Sequence, residues 1–201
     1  MILIGYSGHA FVVYGILKAA GTSVAGYCDT EKKEYNPFDL LYYGTELSEK
    51  ALVALGQHGF FIAIGNNVTR SNIYDQLVAK KIFPSNAVYP SAIIDPSAQI
   101  ATHGVMIAAG VIINPLAKIG TGVICNTGCI IEHECKVGDF AHIGPGAVLC
   151  GNVSIGEKTF VGANAVVKHG ISIGNNVTIG AGAVVVKDVP DNVTVVGVPA
   201  K

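Results

Sequence analysis

The chain has 201 residues, of which half are hydrophobic and only 13% are charged, and its formal net charge is -1. A chain of this length forms one large domain or two small ones, and this charge balance, without any basic run, excludes a nucleic-acid-binding surface. Because no apolar stretch is long enough to span a membrane and no signal peptide precedes the first strand, we expect a cytoplasmic protein whose five cysteines are reduced thiols.

The first thirty residues have the pattern of a nucleotide-binding βαβ unit. A buried strand is predicted at residues 2–4, a glycine-containing turn at 5–9 and an apolar-periodic helix at 10–20. A second strand at 23–27 leads to Asp29, about twenty residues after the turn, where such folds place an acid against a ribose or sugar hydroxyl. The turn lacks the full G-x-G-x-x-G pattern, so the sequence favours a mononucleotide or a nucleotide-sugar over a dinucleotide.

The next fifty residues complete a small α/β domain. They contain a predicted helix around 48–55, a strand at 60–64 that ends in Gly65-Asn66-Asn67, and a helix at about 69–81. Because ligands bind at the carboxyl ends of parallel strands, the turn at 5–9, Asp29 and the loop at 65–67 should converge on one edge of the sheet. Pro84 ends the last helix, and we expect the domains to span residues 1–84 and 85–201.

A six-residue repeat occupies the second half of the chain, from about residue 88 to residue 190. Its period predicts a parallel β-helix, in which each repeat is one short strand and a turn, and stacked coils bury a continuous apolar column. We place one extra residue of the repeat near Pro115. The predicted apolar positions are Val88, Ile94, Ile100, Met106, Ile112, Ile119, Cys125, Ile131, Val137, Ile143, Leu149, Ile155, Val161, Val167, Ile173, Ile179 and Val185.

Two groups of side chains in the repeat are possible metal ligands. Cys125, Cys129 and Cys135 occupy core-facing positions, where a small apolar side chain is required, so we interpret them as packing residues. A zinc site made of histidines, as in a hydratase, would need ligands that converge from neighbouring coils and subunits. His103 and His169 are expected at unrelated coil positions, which disfavours this alternative.

A histidine between two carboxylates, Glu132-His133-Glu134, is the most reactive-looking group in the repeat. A carboxylate favours the imidazolium that forms when a histidine takes up a proton, so this arrangement suits a general base. The sequence does not decide which glutamate is the partner. His142 follows nine residues later, which is half a coil if each coil has three repeats, so the two histidines should cooperate only across a subunit interface.

The motifs GYSGH, GNN, IEHE and GVPAK, together with the sixfold repeat, resemble one family over nearly the whole chain. It comprises the nucleotide-sugar N-acetyltransferases of bacillosamine and perosamine synthesis, and the sialic acid O-acetyltransferases are similar relatives. The resemblance implies a Rossmann-like domain, a left-handed β-helix and a homotrimer with active sites at subunit interfaces. The residues after the last repeat should form a short extended tail, because they cannot be helical past Pro199. It also implies acetyl-CoA as cosubstrate, no metal, and a role in bacterial polysaccharide or glycoprotein sugar synthesis.

The same resemblance assigns roles to individual residues. It implies that His133 is the catalytic base and that Glu134 raises its basicity. Acetyl-CoA would contact His142, Gly151, Ala163 and Ala181, with the Gly151 amide as a donor to the thioester oxyanion. Nucleotide-sugar positions are Ser7, Gly8, His9, Asp29, Thr30 and Gly65. We expect the acceptor to be a UDP-linked 4-amino-4,6-dideoxy hexose; O-acetylation of sialic acid and a solenoid that only binds nucleotide-sugar are the alternatives.

Overall fold

Short buried strands alternate with helices in the first part of the chain. The computed structural model describes residues 1–201. The elements of this part are β1 (Ile2–Ile4), α1 (Gly8–Ala19), β2 (Gly26–Cys28), β3 (Leu41–Tyr42), α2 (Glu49–His58), β4 (Phe60–Ile62) and α3 (Asn67–Val78). None of the three helices is long and apolar enough to cross a lipid bilayer.

The four strands form one parallel sheet in the order β3-β2-β1-β4. One face of the sheet packs against α2 and α3, and the other packs against α1 and the second half of the chain. Strand β3 was not predicted, because it has only two residues and Leu41 is exposed. The carboxyl ends of β1, β2 and β4 lie side by side, so the predicted convergence of their loops is confirmed.

The second half of the chain is a triangular prism of two-residue strands, and its three sheets are named here faces 1, 2 and 3. Face 1 comprises β5 (Ala87–Val88), β8 (Met106–Ile107), β11 (Ile124–Cys125), β14 (His142–Ile143), β17 (Phe160–Val161), β20 (Thr178–Ile179) and β22 (Thr194–Val195). Face 2 comprises β6 (Ile93–Ile94), β9 (Ile112–Ile113), β12 (Ile130–Ile131), β15 (Val148–Leu149), β18 (Val166–Val167) and β21 (Val184–Val185). Face 3 comprises β7 (Gln99–Ile100), β10 (Lys118–Ile119), β13 (Lys136–Val137), β16 (Ser154–Ile155) and β19 (Ser172–Ile173).

Each strand pairs in parallel with the strand one coil further on. Lys118 is opposite Lys136 and Val148 is opposite Val166, so one coil contains eighteen residues, or three repeats. The second residue of each strand points into the prism, and from Cys125 to Val185 every predicted apolar position is buried. A second column of small or branched side chains, four residues after each of these positions and running from Cys129 to Val189, is buried as well. The sixfold prediction is therefore confirmed for these coils.

The predicted register was wrong for two of the upstream repeats. Ile107 and Ile113, not Met106 and Ile112, pair with the inward positions Cys125 and Ile131. The extra residue therefore lies between Ile100 and Ile107, and not near Pro115. The sequence did not reveal it because β8 and β9 each carry two consecutive apolar residues, and Met106 is buried as completely as Ile107.

The α/β part covers the outside of face 1. Ala87, Met106 and Ile124 point outward from this face, yet each is at most 1% exposed, because α1 and the sheet lie over the first coils. One hydrophobic cluster of 42 buried residues extends from Leu3 to Val189 without interruption. The division into residues 1–84 and 85–201 remains a proposal, based on the change from an open sheet to stacked coils.

Candidate active site

His133 lies at the corner between faces 2 and 3, in the turn that joins β12 to β13. Its ring is half-exposed, and its Nδ1 atom lies 3.1 Å from Oε2 of Glu134. Glu134 adopts a left-handed backbone conformation with φ of 60°, and its amide donates to the Pro115 carbonyl one coil earlier. Glu134, not Glu132, is therefore the carboxylate in contact with the ring. It holds Nδ1 and leaves Nε2 as the atom that can take up a proton.

Gly151 occupies the same corner one coil after His133, and the imidazole ring rests on its backbone. A Cβ atom at Gly151 would overlap with Nε2 and Cε1 of His133. The Gly151 amide has no hydrogen-bond acceptor within the chain. A free donor thus lies directly beside the predicted base, where an oxyanion donor would be needed.

His169 lies one coil beyond Gly151 at the same corner, and its ring centroid is 6.3 Å from that of His133. The expectation that His169 occupies an unrelated position was therefore wrong. His133, Gly151 and His169 are separated by whole coils of eighteen residues, which stack vertically. His103, by contrast, packs against Phe83 on another part of the prism.

A second histidine cluster lies between α1 and face 1. The His9 ring, in the first turn of α1, is 6.1 Å from the His142 ring on β14. Nε2 of His142 is 3.1 Å from the Asn126 side-chain amide, whereas Nε2 of His9 and Nδ1 of His142 are buried without a partner. Burial, together with the nearby Arg70 charge, lowers the pKa of His9 to about 4 and that of His142 to about 3. Both rings are therefore neutral at pH 7.

The carboxyl edge of the small sheet brings the predicted nucleotide-sugar residues together. Ser7 is the N-cap of α1, but its side chain makes no hydrogen bond to the helix. Gly8 is exposed, so neither residue blocks the free amides of the first helical turn. Gly65 lies against the His9 ring, since a Cβ atom there would be 3.7 Å from His9 Cγ. A helix N-terminus with unpaired amides is suited to a phosphate group.

Asp29 also lies at this edge, but its carboxylate is already engaged. Oδ2 accepts from the Tyr6 amide at 2.9 Å, and Oδ1 accepts from the Thr30 amide at 2.7 Å and from the Thr30 hydroxyl at 3.1 Å. Lys33 adds an ion pair at 3.3 Å. Asp29 thus ties the end of β2 to the end of β1. A ligand hydroxyl would have to share these oxygens with the chain.

The remaining predicted acetyl-CoA positions lie at a different corner from His133. Ala163 and Ala181 follow β17 and β20, at the corner between faces 1 and 2, one coil apart. Face 2 separates this corner from the corner that carries His133 and Gly151. Within one chain the predicted residues therefore form two half-sites, one at each edge of face 2.

The three cysteines considered as metal ligands lie in the core of the prism. Cys125, Cys129 and Cys135 are fully buried inside the prism, and burial raises the pKa of Cys135 to about 11. A hydrogen bond of the Cys125 thiol with Cys129, together with burial, raises the pKa of Cys125 well above its usual value. No group of three or more His, Cys, Asp and Glu side chains is arranged to hold a metal ion.

Three polar residues near the predicted site residues were not themselves predicted. Asn126 lies beside His142, and His169 beside His133, only because the coils stack. The signal that could have revealed both pairs is a separation in sequence close to a multiple of the eighteen residues of one coil. Arg70 is completely buried beneath the Gly65 loop. Its sequence position on a helix gave no indication of burial, because arginine is usually exposed.

The chain matches two family models and several solved structures. The model of the PglD N-terminal domain matches residues 1–77, and the hexapeptide repeat of succinyl-transferase matches residues 152–187. Perosamine N-acetyltransferase from Caulobacter crescentus, solved in complex with CoA and GDP-perosamine, is 39% identical with a TM-score of 0.91, over 100% of this chain and 95% of the other. A mutant of that enzyme, in which histidine is replaced by asparagine, was also solved in complex with CoA and GDP-perosamine. It is 38% identical with a TM-score of 0.92, over 100% of this chain and 94% of the other.

A second enzyme is similar over the same length. The acetyltransferase domain of PglB from Neisseria gonorrhoeae, in complex with acetyl coenzyme A, is 34% identical with a TM-score of 0.92, over 100% of this chain and 97% of the other. The similarity therefore covers both the small sheet and the prism. The prism is a left-handed parallel β-helix, as predicted.

Proposed function

Because this chain belongs to the bacillosamine- and perosamine-type sugar N-acetyltransferases, we propose that it transfers the acetyl group of acetyl-CoA to the amine of a nucleotide-linked amino-sugar. The observation that carries this proposal is the pairing of His133 with Glu134 over Gly151, at an edge of the prism. Family membership supplies the reaction, and the residues at this corner supply a base and an oxyanion donor. We further propose that the acetylated sugar is used in bacterial surface glycan or glycoprotein sugar synthesis.

The proposed reaction is a direct transfer with both substrates bound. The amine nitrogen attacks the thioester carbonyl, and Nε2 of His133 takes the proton that the amine loses. The Gly151 amide donates to the oxyanion that forms, which is where a fixed donor contributes most to the rate. The adduct then expels the CoA thiolate, which receives a proton from His133. Glu134 favours the transient imidazolium through its contact with Nδ1.

The acceptor is held, in this proposal, by the carboxyl edge of the small sheet. The free amides at the start of α1, from Ser7 to His9, suit a diphosphate. Thr30, Asp29 and Gly65 surround this position, with Asp29 acting mainly by fixing the edge. A nucleotide-binding edge has no use for free sialic acid, which carries no nucleotide, so it supports a nucleotide-linked acceptor.

We also propose that the chain acts as a homotrimer whose sites lie between subunits. The outward residue of every strand of face 2 is isoleucine or valine, and Ile93 is 64% exposed. Face 3 instead presents Gln99, Lys118, Lys136, Ser154 and Ser172. If face 2 packs around a threefold axis, the corner with His133 and Gly151 of one subunit meets the corner with Ala163 and Ala181 of the next. This packing joins the two half-sites and encloses acetyl-CoA between them.

We place the enzyme in the cytoplasm, where acetyl-CoA is available and where its five unpaired cysteines remain reduced. We expect UDP as the nucleotide, although the Caulobacter enzyme was solved with GDP-perosamine.

Thiol release from acetyl-CoA tests the function. We expect release with UDP- or GDP-linked 4-amino-4,6-dideoxy hexoses, no release with free sialic acid, and competitive inhibition by the matching nucleoside diphosphate. The N-acetylated product is identified by mass spectrometry. Acetylation of free sialic acid without any effect of nucleotides would replace this proposal by sugar O-acetylation.

A further inference from the structure

Arg70, on α3, is a buried cation without a counter-ion. Its side chain is 1% exposed, and no carboxylate forms an ion pair with it. Burial lowers the pKa of Arg70 to about 9, so the guanidinium is still charged at pH 7. A buried charge is retained only if its hydrogen bonds are satisfied. Here neutral oxygens from two different parts of the chain satisfy them.

On one side the guanidinium donates hydrogen bonds to backbone carbonyls of the prism. Nε donates to the Gly122 carbonyl at 2.9 Å, and Nη2 donates to the Phe140 carbonyl at 2.7 Å. Gly122 and Phe140 are equivalent turn residues one coil apart, both with left-handed backbone conformations. The coil that begins at Gly122 and ends just before Phe140 carries His133 and Glu134. Arg70 therefore binds this coil at both of its ends.

On the other side the same guanidinium holds the nucleotide-sugar edge. Nη1 donates to the carbonyls of Ile64 and Gly65, both at 3.1 Å. Nη2 also donates to the Asn67 side chain, which itself donates to the carbonyls of Lys158 and Thr159, the next turn of the same corner. All five N–H groups are thus used, and they connect the Gly65 loop to one particular coil.

We infer that Arg70 is a positioning residue that sets the height of the nucleotide-sugar edge along the prism to that of the coil bearing His133. This inference rests on the proposed function. Rotation about a threefold axis parallel to the prism leaves height unchanged. An acceptor held at the Gly65 edge of one subunit therefore meets a neighbouring His133 at the same level, although the two lie on different chains.

Lysine cannot replace Arg70 in this role. A lysine carries one nitrogen on a flexible stem, whereas the planar guanidinium reaches four carbonyls in fixed directions. A displacement of about 1 Å between reacting groups costs about 10²-fold in rate. We therefore expect Arg70→Lys and Arg70→Met each to lower kcat about 10²-fold, while the Kd values for acetyl-CoA and for the nucleoside diphosphate change less than about fivefold.

Thr159→Val is the matched control. Thr159 is fully buried at the same corner, its hydroxyl donates to the Gly174 carbonyl at 2.7 Å, and its side chain makes no hydrogen bond to Arg70. Removal of this hydroxyl should lower the midpoint temperature of thermal unfolding without lowering kcat of the folded enzyme. Should the Arg70 variants behave in the same way, with normal kcat and reduced stability only, Arg70 is an anchor between the two parts and the inference is wrong.

Hydrogen exchange of the same variants separates this inference from the proposed function. We expect segments 64–67 and 122–140 to exchange faster together in Arg70→Lys, with the coils beyond 160 unchanged. Unchanged exchange in segment 64–67 would overturn the inference even if the enzyme is active. If wild type acetylates no nucleotide amino-sugar, the proposed function fails, and the exchange experiment still decides whether Arg70 couples the two segments. If Arg70→Met does not fold, Arg70→Lys, which keeps the charge, carries both measurements.

Discussion

The pairing of His133 with Glu134 leads to a residue-scale prediction with an internal control. His133→Ala should lower kcat by about 10²–10⁴-fold, the usual contribution of a general base, without unfolding the prism, because the ring is half-exposed. Glu134→Gln keeps the shape but removes the charge beside Nδ1, and should cost less. Glu132→Gln is the control, because only Glu134 contacts the ring. Equal losses from the two glutamine variants, measured as thiol release, would contradict this assignment.

The missing side chain at Gly151 gives a second residue-scale prediction. In Gly151→Ala the methyl group would overlap with Nε2 and Cε1 of His133 and force the ring away. We expect kcat to fall about 10²-fold, because small displacements of a catalytic group have large effects on rate. In a His133→Ala background the same change should cost nothing further, since the ring that it displaces is gone. Additive losses in this double-mutant cycle would show that the added methyl group acts independently of the ring, for instance by displacing the amide of residue 151.

The sequence predicted residue types at the site better than it predicted their contacts. The IEHE motif identified a histidine with a carboxylate partner, but the choice of Glu134 depends on the left-handed backbone at that residue, which a glutamate does not signal. Asp29 was found at the expected edge, yet its engagement by Tyr6 and Thr30 depends on side-chain directions in loops. Both details are set by local backbone angles, on which the repeat gives no information.

At the scale of elements, the contact between α1 and face 1 should weaken in acid. Burial holds the pKa of His9 at about 4 and that of His142 at about 3, below the usual value of about 6.5 in an unfolded chain. The unfolded chain therefore binds more protons than the native state below about pH 6.5. The contribution of the two neutral rings to the free energy of unfolding is fully present above that pH and decreases as the pH falls towards 4. At pH 5 each histidine should cost about 2 kcal/mol relative to pH 8.

Denaturant titrations at pH 8 and pH 5 measure this loss, and the His9→Gln variant provides the comparison. Glutamine does not titrate in this range, so about half of the acid-induced loss shared by the two histidines should disappear in the variant. The variant should otherwise unfold at a similar denaturant concentration at pH 8. An identical loss in wild type and His9→Gln would mean that other groups cause the acid sensitivity.

Element boundaries also show what a periodic sequence does not determine. Helix α3 begins at Asn67 because the Asn66 side chain caps it by accepting from the Thr69 amide, two residues before the predicted start. The register of β8 and β9 was misassigned because each contains two consecutive apolar residues. The outward residue of β8 is covered by α1 and the sheet, and the outward residue of β9 belongs to the aliphatic face 2. Where both residues of a strand are apolar, the strand alone does not show which of them points inward, and an extra residue between repeats then leaves no mark in the pattern.

At the scale of the whole molecule, the solenoid was predictable and the docking of the small sheet was not. Coils contact their neighbours eighteen residues away, and a strict repeat encodes that contact directly. The docking of α3 depends on Arg70 and Asn67, which contact carbonyls 52 to 92 residues distant through backbone atoms that any residue would supply. Contacts of this kind leave no pattern in a single sequence.

The last prediction concerns the aliphatic outer side of face 2, which we propose lies at the threefold axis. Val148, on β15, lies between Ile130 and Val166 in the ladder of this face. In Val148→Glu the trimer would bring three carboxylates close together in an apolar interface, where like charges without partners are strongly destabilising. We therefore expect a monomer by light scattering at micromolar concentration, and a loss of at least about 10²-fold in kcat/KM, because the two half-sites separate.

Ser154→Glu is the matched control, since Ser154 points outward from face 3 only six residues further along the chain. It adds the same charge to the same kind of two-residue strand, and should leave both the mass and the activity of the trimer unchanged. Circular dichroism should show that both variants keep their coils, because the inward residues Leu149 and Ile155 are untouched. If Val148→Glu remains trimeric and active while Ser154→Glu dissociates, face 3 forms the interface. The corner with His133 would then meet a different surface of its neighbour.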